Sequence, residues 1–377
     1  MIKVDFFYRQ LINHGTEFFS GVPDSLLKSF CAWLTCHAGK NKHIIAVNEG
    51  AAVGLASGYH LATGKIPLVY MQNSGIGNAV NPLLSLADGD VYRIPLLLLI
   101  GWRGEAGTRD EPQHIKQGKV TLDLFDAMKI PFCVLSDKED EAAVQLDEAY
   151  RRIQKDQSPF ALIVRKDTFA PYVPDAVPAP EAEMSRESAI EEIILSSAPE
   201  ELFISTTGMA SRELYELREK HGQGHEKDFL TVGSMGHASS VALGLALQKP
   251  ELPVTCLDGD GAALMHLGSL AAIGAERPAN LRHIVLNNGA HDSVGGQPTI
   301  AREIDLGGIA RAAGYTEAVT VRTMEELKNI LKEKKLPRPS FIEIMVRKGN
   351  RKDLGRPLSS PPENKESFMR FIAGEKT

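Results

Sequence analysis

The sequence predicts two α/β domains, each a doubly wound parallel sheet with helices on both faces. Three observations predict this. Near-continuous apolar runs alternate with helix-like segments, a proline-rich stretch divides the chain, and the two halves echo each other at one offset. The runs are Ile44–Val47, Leu68–Met71, Leu96–Ile100, Ala161–Val164, Leu202–Ser205, Val254–Leu257, Ile284–Leu286 and Phe341–Val346. Strands that are apolar throughout belong to sheets buried on both faces, and helices between them supply the cover. A chain of 377 residues also exceeds what one hydrophobic core usually serves.

The break carries Pro171, Pro174, Pro178 and Pro180 without any apolar period. Proline fixes φ and removes a backbone donor, so an extended linker is expected over 169–186. The domains are then 1–168 and 187–377. Between them, Gly50 and Gly236, Ala52 and Ala238, Ala56 and Ala242, Gly58 and Gly244, Leu61 and Leu247, Pro67 and Pro253, and Gly75 and Gly261 all match at an offset of 186. One ungapped offset across a small-residue helix, a strand and a glycine loop predicts a repeated topology. In such open sheets ligands bind at the carboxyl ends of the strands.

A net charge of −6 counts against nucleic acid as the partner, since phosphate neutralisation needs a basic surface. The longest aliphatic run, Leu96–Ile100, is far short of the roughly 20 residues of a membrane span. The N-terminus has no signal-peptide pattern. Cys31, Cys36, Cys133 and Cys256 show no CxxC spacing, so reduced thiols and a cytoplasmic location are expected.

The chemistry-bearing segment is Leu257–Ala262, LDGDGA, at the end of a buried strand, followed by Asn287 and Asn288 at the end of the next. Gly259 and Gly261 let the backbone approach a ligand and free its N–H groups for phosphate oxygens. Asp260 offers a carboxylate oxygen to a hard cation. An asparagine carbonyl and a backbone carbonyl beyond it complete a set suited to Mg²⁺ shared with a diphosphate, not to Zn²⁺. A lone Gly-Asp-Gly also reads as a structural turn; the following Asn pair makes the pattern specific.

This spacing resembles the signature of the thiamine-diphosphate enzymes. The resemblance implies that Asp260, Asn288 and the main chain of Ala290 bind Mg²⁺, with Asn287 open as the alternative ligand. VGSMGHA, with Ser234 and Met235, is similar to the turn whose hydrophobe props the cofactor in a bent shape; a core methionine is the plainer alternative. Thr206, Thr207 and Gly208 offer donors to the diphosphate alongside Gly259, Gly261 and Ala262, although a helix capped by threonine has the same appearance. In the first half, AVNEGAAVGLASGYHLATG places Glu49 where the family has a glutamate that hydrogen-bonds the aminopyrimidine. A buried carboxylate held for structure alone is costly; an acidic residue at a helix start also serves as a dipole partner.

Beyond the cofactor motifs, the strings FSGVPDS (19–25), DEPQHIKQGK (110–119), NNGAHDSVGGQPT (287–299) and DLGRP (353–357) resemble the two-domain branch of the thiamine-diphosphate-dependent 2-keto acid decarboxylases. That branch implies decarboxylation of 3-phosphonopyruvate to phosphonoacetaldehyde and carbon dioxide. Sulfopyruvate, or another 2-keto acid decarboxylation or carboligation, is the alternative. Asp24 and His114 are then expected near the reacting carbon. Asp24, Arg103, Arg109 and His114 are the candidates for the anionic substrate, and an Arg351–Arg356 patch is a second basic region. Because Asp110 and Glu111 interleave with Arg103 and Arg109, a solvated charged loop is the competing reading. Glu49 and Asp260 fall in different domains, so the resemblance also implies a shared site at a domain interface and at least a homodimer. No membrane partner is expected.

Overall fold

The computed structural model describes residues 1–39, 41–174, 182–332 and 336–375. Two compact units divide the chain, Met1–Val177 with Ser293–Gln297 and Pro178–Asp292 with Pro298–Thr377. The first holds six strands: β1 (Phe19–Gly21), β2 (His43–Ile45), β3 (Leu68–Gln72), β4 (Leu97–Gly101), β5 (Phe132–Val134) and β6 (Phe160–Val164). The second holds β7 (Leu202–Ser205), β8 (Asp228–Leu230), β9 (Val254–Gly259), β10 (Leu281–Asn287), β11 (Glu317–Val321) and β12 (Ser340–Met345).

Every strand pairing is parallel. The orders are β2-β1-β3-β4-β6-β5 and β11-β12-β10-β9-β7-β8. Read from β8, the second order repeats the first, so both units share one topology, as the offset predicted. β3 and β9, at Leu68 and Val254, start 186 residues apart.

The expected two-sided burial is visible residue by residue. Leu68, Tyr70, Leu97, Leu99, Leu162 and Val164 pack into one cluster. Val69, Met71, Leu98, Ile100, Ala161 and Ile163 pack into another. Alternate residues of the same strands thus enter opposite layers. Each fully buried leucine or isoleucine contributes about 1.5–3 kcal/mol relative to exposure. The second sheet places Phe203, Leu257, Ile284, Leu286, Ile342 and Ile344 in a comparable cluster.

All eight apolar runs overlap strands; Leu202–Ser205 coincides with β7, and the others differ by a residue or more at one or both ends. Four strands escaped the pattern. β5, β8 and β11 are sheet edges, and β11 is only partly buried. β1 is internal but has three residues, and Ser20 and Gly21 hide it from an apolar search.

At the proline-rich break, Ile2 bridges Phe169 and Met184 bridges Val346. Tyr172 N–H donates to Ser29 Oγ at 3.2 Å. Residues 175–181, including Pro178 and Pro180, lie outside the described residues. Arg186 opens a helix, Arg186–Ser196, capped by Ser185. No helix among the described residues is long and apolar enough to cross a membrane.

Candidate active site

In the first unit, polar side chains gather at the carboxyl ends of an otherwise apolar sheet. Glu49 is the first residue of the helix Glu49–Thr63, whose N-cap Asn48 accepts from Ala51 N–H. The side chain is buried and Asn78 Nδ2 donates to its Oε2 at 2.8 Å. Gly75 permits this placement: a Cβ there would lie 2.3 Å from Glu49 Oε1. Burial pushes the Glu49 carboxyl above its ordinary range, only partly offset by the Asn78 bond.

Asp24, beyond β1, is wholly buried. Its Oδ1 accepts from Leu26 N–H at 2.9 Å and its Oδ2 from Gln72 Nε2 at 2.7 Å. Burial raises its pKa against these bonds and the charge of Arg103. Gly101, the last residue of β4, leaves it room, since a Cβ would come within 2.1 Å of Oδ1.

Arg103 spans two loops. Nη1 donates to Ser25 Oγ at 2.7 Å, while Nε and Nη2 grip both oxygens of Asp110. For Asp110, burial acts upward, but the guanidinium and the N–H groups of Glu111 and Gly104 win and hold the carboxyl well below the usual range. Arg103 is therefore a half-buried, neutralised group and not a solvated charge. Three of its five donors are committed. Arg109 is exposed. His114, on the helix Pro112–Ala127, is buried with Nδ1 unpartnered among the described residues. Burial, then Arg103, depress its pKa. Arg351, in the other unit, is engaged by Glu187, Glu216 and Asp353.

The second unit gathers four loops at the carboxyl edge of its sheet. Asp260 follows β9 and is buried, with its Oδ2 accepting from Thr299 Oγ1. Burial raises its carboxyl to about 6 despite that bond. Gly261 brings two neighbours close: a Cβ there would sit 3.0 Å from His291 Cε1 and 3.4 Å from Met235 Cε. Gly233, Ser234 and Gly236 all have positive φ, which shapes the turn presenting Met235. Thr207 Oγ1 accepts from Gly233 N–H at 3.0 Å, tying that turn to the 206–208 loop. Gly208, at φ 99°, leads into the helix Met209–Lys220. Thr206 is buried, and its methyl lies 3.9 Å from the position of a Gly259 Cβ. Ala262 is buried in the helix Asp260–Met265.

The two asparagines separate clearly. Asn287, fully buried, donates to Glu343 Oε1 of β12 at 2.7 Å and accepts from Gly289 N–H. It is a strut inside the sheet. Asn288 lies beyond the strand end; its Nδ2 donates to Asp292 Oδ2 at 2.5 Å, and its Oδ1 accepts from Ala290 N–H at 3.0 Å. Thr299 N–H closes the loop onto Gly289 O at 3.0 Å. Thr299, Asp292, Gln72 and Asn78 were missed by sequence reasoning.

The donor set on this edge consists of hard oxygens, an aspartate held ionised against its surroundings at neutral pH, and backbone with no Cβ in the way. It fits a Mg²⁺–diphosphate group. In a separate buried trio, Cys256, Asp258 and His283, the aspartate and the histidine already pair with each other. His283 contacts Asp258 Oδ2 at 3.3 Å and Tyr315 Oη at 3.0 Å.

Residues 3–129 match the thiamine pyrophosphate enzyme N-terminal TPP-binding domain, and residues 206–344 match the C-terminal TPP-binding domain; thiamine pyrophosphate and thiamine diphosphate are one compound. A phosphonopyruvate decarboxylase of Streptomyces hygroscopicus is 34% identical over 98% of this chain and 94% of its own length. One from Streptomyces viridochromogenes is 33% identical over 95% and 92%. A sulfopyruvate decarboxylase of Methanosarcina acetivorans is 30% identical over 87% of each chain. The chain therefore belongs to the thiamine pyrophosphate enzymes, as a 2-keto acid decarboxylase of the group that includes the phosphonopyruvate decarboxylases.

Proposed function

We propose that the chain decarboxylates 3-phosphonopyruvate to phosphonoacetaldehyde and carbon dioxide, with thiamine diphosphate and Mg²⁺ as cofactors. The observation that carries the substrate assignment is the match along nearly the whole length of two phosphonopyruvate decarboxylases, at 34% and 33% identity. Bound thiamine diphosphate supplies the electron sink that lets carbon dioxide leave. The remaining chemistry falls to side chains. Asp260 Oδ, Asn288 Oδ1 and the Ala290 carbonyl hold Mg²⁺. Hydroxyls and N–H groups of Thr206, Thr207, Gly208 and Ser234 receive diphosphate oxygens, with Gly259, Gly261 and Ala262 allowing close approach. Met235, whose side chain lies beside Gly261, would support the cofactor. Glu49 shares a proton with the pyrimidine nitrogen. Asp24 and His114 hold and deliver the proton required at the reacting carbon; burial raises the Asp24 carboxyl and so favours its protonated, donating form. Arg103 and Arg109 face the anionic tail, Arg103 through its uncommitted N–H groups.

The deciding experiment measures carbon dioxide release with thiamine diphosphate and Mg²⁺ on phosphonopyruvate, sulfopyruvate and pyruvate. The highest kcat/KM is expected on phosphonopyruvate. A preference for sulfopyruvate would move the enzyme to the sulfonate reading, and a preference for pyruvate would remove the tail assignment.

The proposal includes a homodimer. The helix Glu49–Thr63 exposes Gly54, Leu55, Gly58 and Leu61, and the helix Ala238–Gln248 exposes Val241, Gly244 and Leu247. These stripes recur at the repeat offset. Leu61 is 74% exposed and Val241 41%, an unusual exposure for apolar residues sharing a helix face with glycines that permit close backbone approach. A second copy of the chain is the occupant proposed. Val241→Glu and Leu55→Glu are each expected to lower the mass measured by light scattering from dimer to monomer. An unchanged dimer in both variants would place the interface elsewhere.

A further inference from the structure

We propose that Asp292, held by Arg186, is a positioning residue that fixes which end of the Asn288 amide is presented to the metal; this rests on the metal reading above. An amide has two ends of similar shape and opposite chemistry, and only the oxygen ligates Mg²⁺. Nothing in the asparagine itself selects the orientation. The Ala290 N–H, which only donates, favours the oxygen on one side, and Asp292 fixes the other, because a carboxylate accepts and cannot donate. Its Oδ2 takes Asn288 Nδ2 at 2.5 Å, which turns Oδ1 the other way, where Ala290 N–H meets it at 3.0 Å.

Asp292 is itself immobilised. The same Oδ2 accepts from Gly349 N–H at 2.9 Å and Arg186 Nη1 at 3.3 Å. Arg186 is locked by a two-point pairing with Glu213, Nε to Oε2 at 2.7 Å and Nη2 to Oε1 at 2.9 Å. The three side chains are 8%, 2% and 8% exposed for Arg186, Glu213 and Asp292. Two carboxylates face one guanidinium, an excess of acidic groups beside Asn288. That excess is costly in isolation and is relieved by a cation at the Asn288 oxygen. Four chain segments therefore converge to orient one amide, the arrangement expected of groups that tune a metal ligand from behind.

The test is calorimetric titration of Mg²⁺ into protein with saturating thiamine diphosphate, beside thermal melts without metal. Asp292→Asn preserves size but offers Asn288 either a donor or an acceptor. Its Mg²⁺ dissociation constant is expected to rise about 10–100-fold, with kcat recovering toward wild type at saturating Mg²⁺. Asp292→Glu, which keeps an acceptor, is expected to restore part of the affinity. Arg186→Lys keeps the charge but loses the two-point pairing, and is expected to weaken Mg²⁺ by a smaller factor. It decides the matter by the same titration if Asp292→Asn does not fold. A lowered melting temperature with an unchanged Mg²⁺ constant would reduce the network to scaffolding and overturn the inference. If Asp260→Ala also leaves Mg²⁺ binding intact, the metal reading itself fails; if Asp260→Ala abolishes it and Asp292→Asn does not change it, only the positioning role fails.

Discussion

Glu49→Gln is expected to lower turnover by about 10²–10⁴-fold, the range for loss of a proton-transfer group, while the protein stays folded and still binds the diphosphate end of its cofactor. Glutamine keeps the length and shape of the side chain. Its amide oxygen can accept the Asn78 Nδ2 bond that Glu49 Oε2 now accepts at 2.8 Å, so the helix start is retained. What disappears is a carboxyl group able to hold or release a proton. The stability effect should have the opposite sign. Burial raises the folded-state pKa of Glu49, so the folded protein binds the proton more tightly than the unfolded chain. Wild type then loses stability as pH rises from the ordinary carboxyl range through the raised folded value. Glutamine does not titrate. The unloaded variant should therefore match wild type near pH 4 and exceed it at pH 7–8 by on the order of 1–2 kcal/mol, the scale of a poorly compensated buried polar group. Thermal melts across that range, with a carbon dioxide release assay, check both halves. Near-wild-type turnover would remove Glu49 from the chemistry; a variant less stable at neutral pH would show a net structural role for the charge.

The sequence disclosed the centre of each sheet because a strand buried on both faces is apolar at every position. β4 and β6 show this from end to end. Three of the four edge strands, β5, β8 and β11, escaped because they are short or only partly apolar, and β8 buries Asp228 against Arg218. The repeat was legible because Gly75 and Gly261 stand at matching positions with close neighbours, Gly75 against Glu49 and Gly261 against His291 and Met235. Local motifs reached Glu49, Asp260 and Met235. They did not separate Asn287 from Asn288, since both end one strand; the difference is Glu343 on β12, 56 residues away. Arg186 was placed in a linker because its partners, Glu213 and Asp292, are 27 and 106 residues distant. The pairing of Arg103 with Asp110 was undecidable for another reason: interleaved charges spell a solvated loop and a locked ion pair with the same letters.

Asp260→Ala tests the other end of the cofactor, and its expected effect is the loss of Mg²⁺-dependent retention altogether. Asp260 is the one carboxylate in the proposed ligand set, since Asn288 and Ala290 offer neutral oxygens. Removing it leaves dipoles to hold a divalent ion that is reluctant to shed water. The unloaded protein should tolerate the change. Burial lifts the Asp260 carboxyl to about 6, so at neutral pH the charge exists against the preference of its surroundings, and alanine removes that cost together with the Thr299 bond. The contrast appears on loading. At 100 times its dissociation constant, a ligand specific to the folded state adds about 2.7 kcal/mol. Wild type should show a corresponding rise in melting temperature with thiamine diphosphate and Mg²⁺ together, reduced when Mg²⁺ is chelated. Asp260→Ala should show only the chelated response, at every Mg²⁺ concentration, and no measurable turnover. A full metal-dependent shift in the variant would mean that the ion is held by other groups. The aspartate would then owe its buried place to Thr299 and the N–H groups of Asp260 and Gly261, an acceptor role that an uncharged residue fills at lower cost.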